Sequence, residues 1–239
     1  MLRINHRGLS LIELLVVIAI ITILASIVLP VYATIRNKAR MAVCQSNLRQ
    51  IAIAFRAYLD DWDSCYPNTG NPFLWMGRFW RWPLKPYVGL SANPVPGDPL
   101  HSTNNTRNIL LCPSDLKAEE RYDSTSYAYS MAFYVAPSDI DRMTTFADTV
   151  TPPGPPCTTQ REENVTYPSK KVLVTEWFSN HESPHVGWND PATAWEGSRN
   201  YLFADGHVQY LKARQIKPAN NGLPDINLTK GGITGKDVE

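Results

Sequence analysis

The sequence predicts an α+β protein: a long apolar N-terminal α-helix, packed by its C-terminal half on an antiparallel β-sheet head with long loops. Three observations predict it. Leu9 to Tyr32 runs for 24 residues with Glu13 as the only formal charge. A stripe of apolar residues at spacings of three and four follows, from Cys44 to Trp62. Beyond Tyr66 the composition changes: 18 of the 19 prolines lie at or after Pro67, which excludes long helices there and favours short strands and extended loops. The chain therefore divides into a basic leading segment (1–8), an apolar helix (9–32), an amphipathic continuation (33–65), a β-rich head (66–219) and a glycine-rich tail (220–239) expected to be poorly ordered.

At about 1.5 Å per residue the apolar run reaches roughly 36 Å, enough to cross a hydrocarbon core of about 30 Å with some tilt. A secretory signal peptide is the plainer reading, but its apolar region spans only about 7 to 15 residues and ends at small residues. Here the run passes Ala25 and Ser26 and continues through Ile27, Val28 and Leu29, so the segment is expected to be retained. Glu13 sits inside it, where a carboxylate costs on the order of 2.5 to 3.5 kcal/mol at the centre of a span and less near an end. That cost makes Glu13 a functional candidate. Arg3 and Arg7 precede the span while Arg36, Lys38 and Arg40 follow it, so flanking charge does not set its orientation.

Arg7, Gly8, an apolar residue at Leu9 and an acid at the fifth place after the glycine resemble the junction of type IV pilins and type II secretion pseudopilins. The resemblance implies cleavage of a leader peptide by prepilin peptidase between Gly8 and Leu9, with methylation of the new N-terminus. It makes Glu13 the family's acidic assembly residue and Pro30 its helix-bending proline. Most members carry Phe after the cut; this chain has Leu9. The resemblance further implies self-association in a filament, an inner-membrane assembly platform, contact with membrane lipid, and a single pass of the inner membrane with the C-terminal domain in the periplasm or on the cell surface. The physics of Glu13 agrees: an amine freed at Leu9, with a reference pKa near 8, is largely cationic at neutral pH. Buried opposite charges offset each other's desolvation only when closely paired. A pair within one helix at i and i+4 is conceivable; the family's account places the acid against a neighbouring subunit's N-terminus.

Past Pro30, which removes one helical hydrogen bond at a tolerable cost in a membrane setting, the helix is expected to continue. Cys44, Leu48, Ile51, Phe55, Tyr58, Leu59 and Trp62 form its apolar stripe, and Arg40, Gln45, Arg49, Arg56 and Asp60 its polar face. The whole would be about 80 Å long. A coiled coil is the weaker reading, because fewer than three heptads are present.

In the head, Phe73, Trp75, Phe79, Trp80, Trp82 and Tyr87 interleave with Arg78, Arg81 and Lys85. Such a segment either covers the apolar face of the helix or stacks on sugars or single strands; covering is the favoured reading. Strands are expected at Ile109 to Cys112, Tyr127 to Tyr134, Val172 to Trp177 and Tyr201 to Leu211. The last should be a hairpin with a two-residue turn at Asp205 and Gly206, both at positive φ. This part resembles the planctomycete-type pilin-like proteins with a large C-terminal domain. The shared motifs are Cys44 with Asn47 to Ile51 (NLRQI), Cys112 to Asp115 (CPSD), and Asp205 with Gly206. The family's histidine ten places before the Asp-Gly pair is Trp195 here. Four cysteines, Cys44, Cys65, Cys112 and Cys157, allow three disulfide connectivities that spacing does not rank. The family-like motifs imply Cys44 with Cys112, a closure worth on the order of 4 kcal/mol.

Against this structural reading, few catalytic patterns stand. With 23 basic and 22 acidic side chains the net charge is +1, so no nucleic-acid footprint is present. His181, Glu182 and His185 match HExxH formally, but that pattern needs a helix and Pro184 breaks one. A looser loop site of His181, His185 and Asp190, or calcium at the Asp205 turn, is the lesser alternative to no metal at all. There is no nucleophile elbow and no phosphate-cradling glycine loop. The expectation is a structural subunit without enzymatic activity or cofactor. The alternative is a membrane-tethered binding protein that never polymerises and grips a glycan or partner protein.

Overall fold

The computed structural model describes residues 11–88, 109–115, 125–188 and 190–239. The chain forms two compact units, residues 1–39 and 40–239. Helix α1, Leu11–Asp61, begins in the first and ends in the second, and it continues through Pro30.

In the first unit the apolar side chains of α1 face outward, from Leu11 (83% exposed) to Ile35 (59% exposed). Two of its hydroxyls are satisfied within the helix: Thr22 Oγ1 donates to Ala19 O at 2.8 Å and Ser26 Oγ to Ile23 O at 2.7 Å. A polar group that bonds its own helix can enter an apolar medium without leaving a donor unmet.

In the second unit the predicted stripe is the buried face of α1. Cys44, Leu48, Ile51, Phe55, Tyr58 and Leu59 are buried, whereas Trp62 is exposed and stacks on Tyr58 at 5.3 Å. On the solvent side Arg56 pairs with Asp60 (2.8 Å) and Glu162 (2.7 Å). The helix stops where Asp63 and Ser64 take positive φ and Ser64 N bonds back to Leu59 O.

A second helix, α2 (Gly77–Leu84), lies within the aromatic segment. Two short helices follow, α3 (Pro137–Ile140) and α4 (Phe146–Val150). Strands β1 (Tyr127–Tyr129), β2 (Val172–Glu176), β3 (Ser198–Phe203) and β4 (Val208–Lys212) make one antiparallel sheet in sequence order. Ala128 opposes Thr175, Thr175 opposes Tyr201, and Tyr201 opposes Gln209.

The main core joins the α1 stripe to the aromatic segment and one side of the sheet: Phe55 meets Tyr129 at 5.3 Å and Trp80 at 6.1 Å between ring centroids. A smaller cluster holds Val172, Tyr201, Phe203, Leu211, Ile216 and Ile226. The antiparallel sheet and the long helix give the α+β class.

Several expectations are corrected. Ile109 to Cys112 is a turn, not a strand: Leu110 O accepts from Ser126 N, and Asn47 Nδ2 donates to Leu111 O at 2.9 Å, so these carbonyls are met without a ladder. The strand at Tyr127 ends at Tyr129, because Ser130 caps a 3-10 turn over Met131–Phe133. The β3–β4 connection spans 204–207, and only Gly206 has positive φ (90°), since Asp205 spends its side chain on His207 N in the same loop. The tail is packed rather than loose. Ile226, Leu228 and Ile233 are buried, and Asp237 pairs with the fully buried Lys171 (3.3 Å) while accepting from Val172 N (2.7 Å). Glycine content misled because Gly231 and Gly232 serve turns at positive φ within an ordered segment.

Candidate functional site

Two places carry unusual chemistry. The first is α1 in the first unit. Gly8 and Leu9 lie outside the described residues, whereas Glu13 stands in the first described turn of the helix among exposed Leu11, Ile12, Leu14 and Leu15. The helix is long and apolar enough over this part to cross a membrane. An acid on that surface is stable only against a cation, a polar partner or water.

The second place is buried in the head. Glu176 ends β2 and is fully buried, and β1 and β3 flank it in the sheet. Its Oε2 accepts from Asn200 N (2.8 Å) and Asn200 Nδ2 (3.1 Å), both from β3. Asn200 Oδ1 in turn accepts from Gln45 Nε2 on α1 at 3.1 Å. The other oxygen, Oε1, lies 3.0 Å from His181 Nε2. The tautomer that donates from Nε2 satisfies this contact.

Cys112 Sγ lies 3.6 Å from the same nitrogen, and it forms a disulfide with Cys44 of α1. Cys112 is seated by its own N–H donating to Ser126 Oγ at 2.8 Å. Tyr210 of β4 presents to the His181 ring edge-on at 6.1 Å, and burial pushes its phenol up to about 12. One carboxylate oxygen, one imidazole nitrogen and two sulfurs thus lie within 4.8 Å of one another.

The remaining candidates are not gathered there. Cys65 and Cys157 are half-buried free thiols on separate bridges, to Arg161 and Val135. His181 points inward to Glu176, His185 is exposed, and Asp190 caps its own loop through Ala192 N and Thr193 Oγ1, so the looser metal set does not form. HESPH is a turn closed by the Phe178–Gly187 bridge, not a helix. Asp205 accepts from His207 N and faces its Nδ1 at 2.6 Å. Trp195 is half-buried in the loop before β3.

The aromatic segment is mostly interior. Trp75 and Trp80 are buried, Trp80 Nε1 donates to Tyr127 O at 3.2 Å, and Trp82 alone of the three tryptophans is exposed, with Arg81 Cζ 4.7 Å from its ring. Sequence reasoning missed Glu176. The available signal was an acid closing the apolar run VLVTEW, since a carboxylate in a buried strand needs a dedicated partner.

Comparison with known proteins adds to this geometry. Residues 3–29 match the prokaryotic N-terminal methylation motif, and residues 33–173 match the family described as Protein of unknown function (DUF1559). No curated protein and no solved structure matches the chain. The first match covers Gly8, Leu9, Glu13 and the apolar run as far as Leu29; the second covers the α1 stripe, the aromatic segment and the head as far as the start of β2. Because the latter spans more than half of the chain, the protein belongs to the DUF1559 family of pilin-like proteins and carries a prepilin-type methylation motif at its N-terminus.

Proposed function

We propose that this protein is a structural subunit of a filament of the type IV pilus or type II secretion kind. In this reading prepilin peptidase cuts between Gly8 and Leu9 and Leu9 is methylated. The apolar half of α1 first holds the chain in the inner membrane, with the head outside the cytoplasm, and then packs against other copies in the filament. Glu13 meets the free amine of a neighbour at Leu9 and so sets the register of assembly. The observation that carries the reading is the outward-facing apolar surface from Leu11 to Ile35, interrupted by a single acid, on a chain with the methylation motif. Of the aromatic rings that would serve a glycan-binding role, Trp75 and Trp80 are buried and Phe79 and Tyr87 pack partly against the core, so the tethered-receptor alternative has less to work with.

The test is intact mass and N-terminal sequencing of protein extracted from membranes, followed by crosslinking in cells. The mature chain should begin at a methylated Leu9. Glu13→Val should stay in the membrane fraction but lose the crosslinked ladder of multimers. Retention of the first eight residues in a cell with active prepilin peptidase, or an unchanged ladder in the variant, would refute the proposal.

A further inference from the structure

We propose that Cys44, Cys112, Glu176 and His181 constitute a zinc site that exists only while the Cys44–Cys112 disulfide is reduced. The donor set is two sulfurs, one imidazole nitrogen and one carboxylate oxygen, the ligand types of four-coordinate zinc. The spacing already suits it. With zinc–sulfur bonds of about 2.3 Å and zinc–nitrogen or zinc–oxygen bonds of about 2.0 Å, a tetrahedron places sulfur about 3.5 Å from nitrogen and nitrogen about 3.3 Å from oxygen. Cys112 Sγ stands 3.6 Å from His181 Nε2, which stands 3.0 Å from Glu176 Oε1. The two sulfurs must separate to about 3.8 Å, which breaking their bond permits, and the nitrogen and oxygen must part by about 0.3 Å, within a set that already lies inside 4.8 Å.

The surroundings favour a metal as well. Asn200 holds Oε2 of Glu176 through two donors and is itself held by Gln45, so an outer layer of hydrogen bonds fixes the carboxylate whose other oxygen faces His181 Nε2 and lies within 4.8 Å of the sulfurs. The four ligands come from α1, the loop at Cys112, the end of β2 and the turn after it, so an ion would join the same elements that the disulfide joins.

The two states exclude each other because disulfide sulfurs are not thiolates. A dithiol reductant supplies two electrons and two protons, becoming a disulfide itself, and leaves two protein thiols. Zinc then displaces one proton from each thiol, the His181 ring proton moves from Nε2 to Nδ1, and the ion binds both sulfurs, Nε2 and the carboxylate. A disulfide oxidant reverses the sequence: it takes two electrons from the two thiolates, becomes two thiols with protons from water, and the zinc leaves as the hydrated ion. A newly made chain holds thiols before any oxidant acts, so zinc would hold the head together until the disulfide replaces it.

The full-length chain in detergent, refolded from urea with a phosphine reductant, is titrated with zinc and separately with cobalt. The phosphine takes its oxygen from water as it reduces the disulfide. One equivalent of zinc should bind, cobalt should give thiolate charge-transfer and tetrahedral d–d bands, and zinc should raise the thermal midpoint of the reduced protein. The oxidised chain should show none of these. Cys65→Ser with Cys157→Ser should behave as wild type, while His181→Gln and Glu176→Gln should each weaken binding at least ten-fold. Reduced wild-type protein that gives no cobalt–thiolate band, gains no thermal stability from zinc, or binds zinc equally well in His181→Gln would overturn the proposal, whether or not a variant folds.

Discussion

Asp237→Ala tests how far the C-terminal tail belongs to the fold. Lys171 is fully buried, its Nζ 3.3 Å from Asp237 Oδ2, and burial pulls its ammonium below the ordinary lysine value while Asp237 opposes that shift. The same carboxylate accepts from Val172 N at the start of β2 and from Thr229 Oγ1. Alanine strands a buried cation, which costs about 3 to 5 kcal/mol, and deprives a buried N–H of its acceptor, which costs about 1 to 3 kcal/mol. The two losses overlap, because neutralising Lys171 relieves the first, so the expected destabilisation is about 4 kcal/mol, a large part of a typical folding free energy. The sign with pH follows: a lysine held below its unfolded value makes the folded state bind fewer protons, so the variant should recover stability as pH rises toward the lysine range. Lys171→Met together with Asp237→Leu should regain the part of the loss that comes from the stranded charge, since an apolar pair removes both the charge and its desolvation, while Val172 N stays without its acceptor. Urea unfolding of the full chain in non-ionic detergent, followed by tryptophan fluorescence, measures both variants against the wild type. An Asp237→Ala midpoint equivalent to a loss of under about 1 kcal/mol, below the usual cost of a buried unpaired charge, would refute the reasoning and return the tail to the surface.

Asp225 should give the head a distinctive pH profile. Burial pushes its carboxyl up to about 7 from the model-compound value of 3.8, with Asp237 adding to the rise and Asn227 N and Asn221 Nδ2 opposing it. A carboxyl raised on folding favours the folded state when protonated, so its contribution is full below about pH 4 and is lost as pH climbs to about 7, a total of at most about 4 kcal/mol. Asp225→Asn should remove that fall while keeping the turn it caps; superimposable wild-type and variant profiles between pH 4 and pH 8 would contradict it. Gly197→Ala bears on the turn that aims His181. At φ 73° a Cβ would sit 2.6 Å from Ser179 Cβ, and Ser179 Oγ ties the loop together through Pro184 O and Val186 N. A loss of about 2 to 3 kcal/mol in urea unfolding is expected from strain and overpacking; an unchanged midpoint would mean the loop yields freely.

The long helix and its buried stripe were legible because helical periodicity is local: Cys44, Leu48, Ile51 and Phe55 declare their shared face within four turns. The same holds for the apolar run around Glu13, and for the β3–β4 hairpin, whose turn residue Gly206 was read correctly while the loop length was not. The candidate site was legible only in part. Cys44 and Cys112 drew attention as pieces of family-like motifs and His181 as part of a looser loop metal site, but Glu176 did not. Nothing near Glu176 in the sequence marks the Asn200 side chain, 24 positions on, that holds it. The tail failed for the same reason, since its glycines read locally as disorder while Asp237 meets a lysine 66 positions earlier.

By itself the sequence determined where the long helix runs, which of its faces must be covered, and that one end suits lipid, because those properties follow from residue spacing and transfer free energy along a few turns of chain; the short helices of the head were not legible. Only the tertiary structure decided which polar groups share the interior. The stability of a buried charge depends on partners that chain folding, and not neighbourhood in sequence, brings within hydrogen-bond reach.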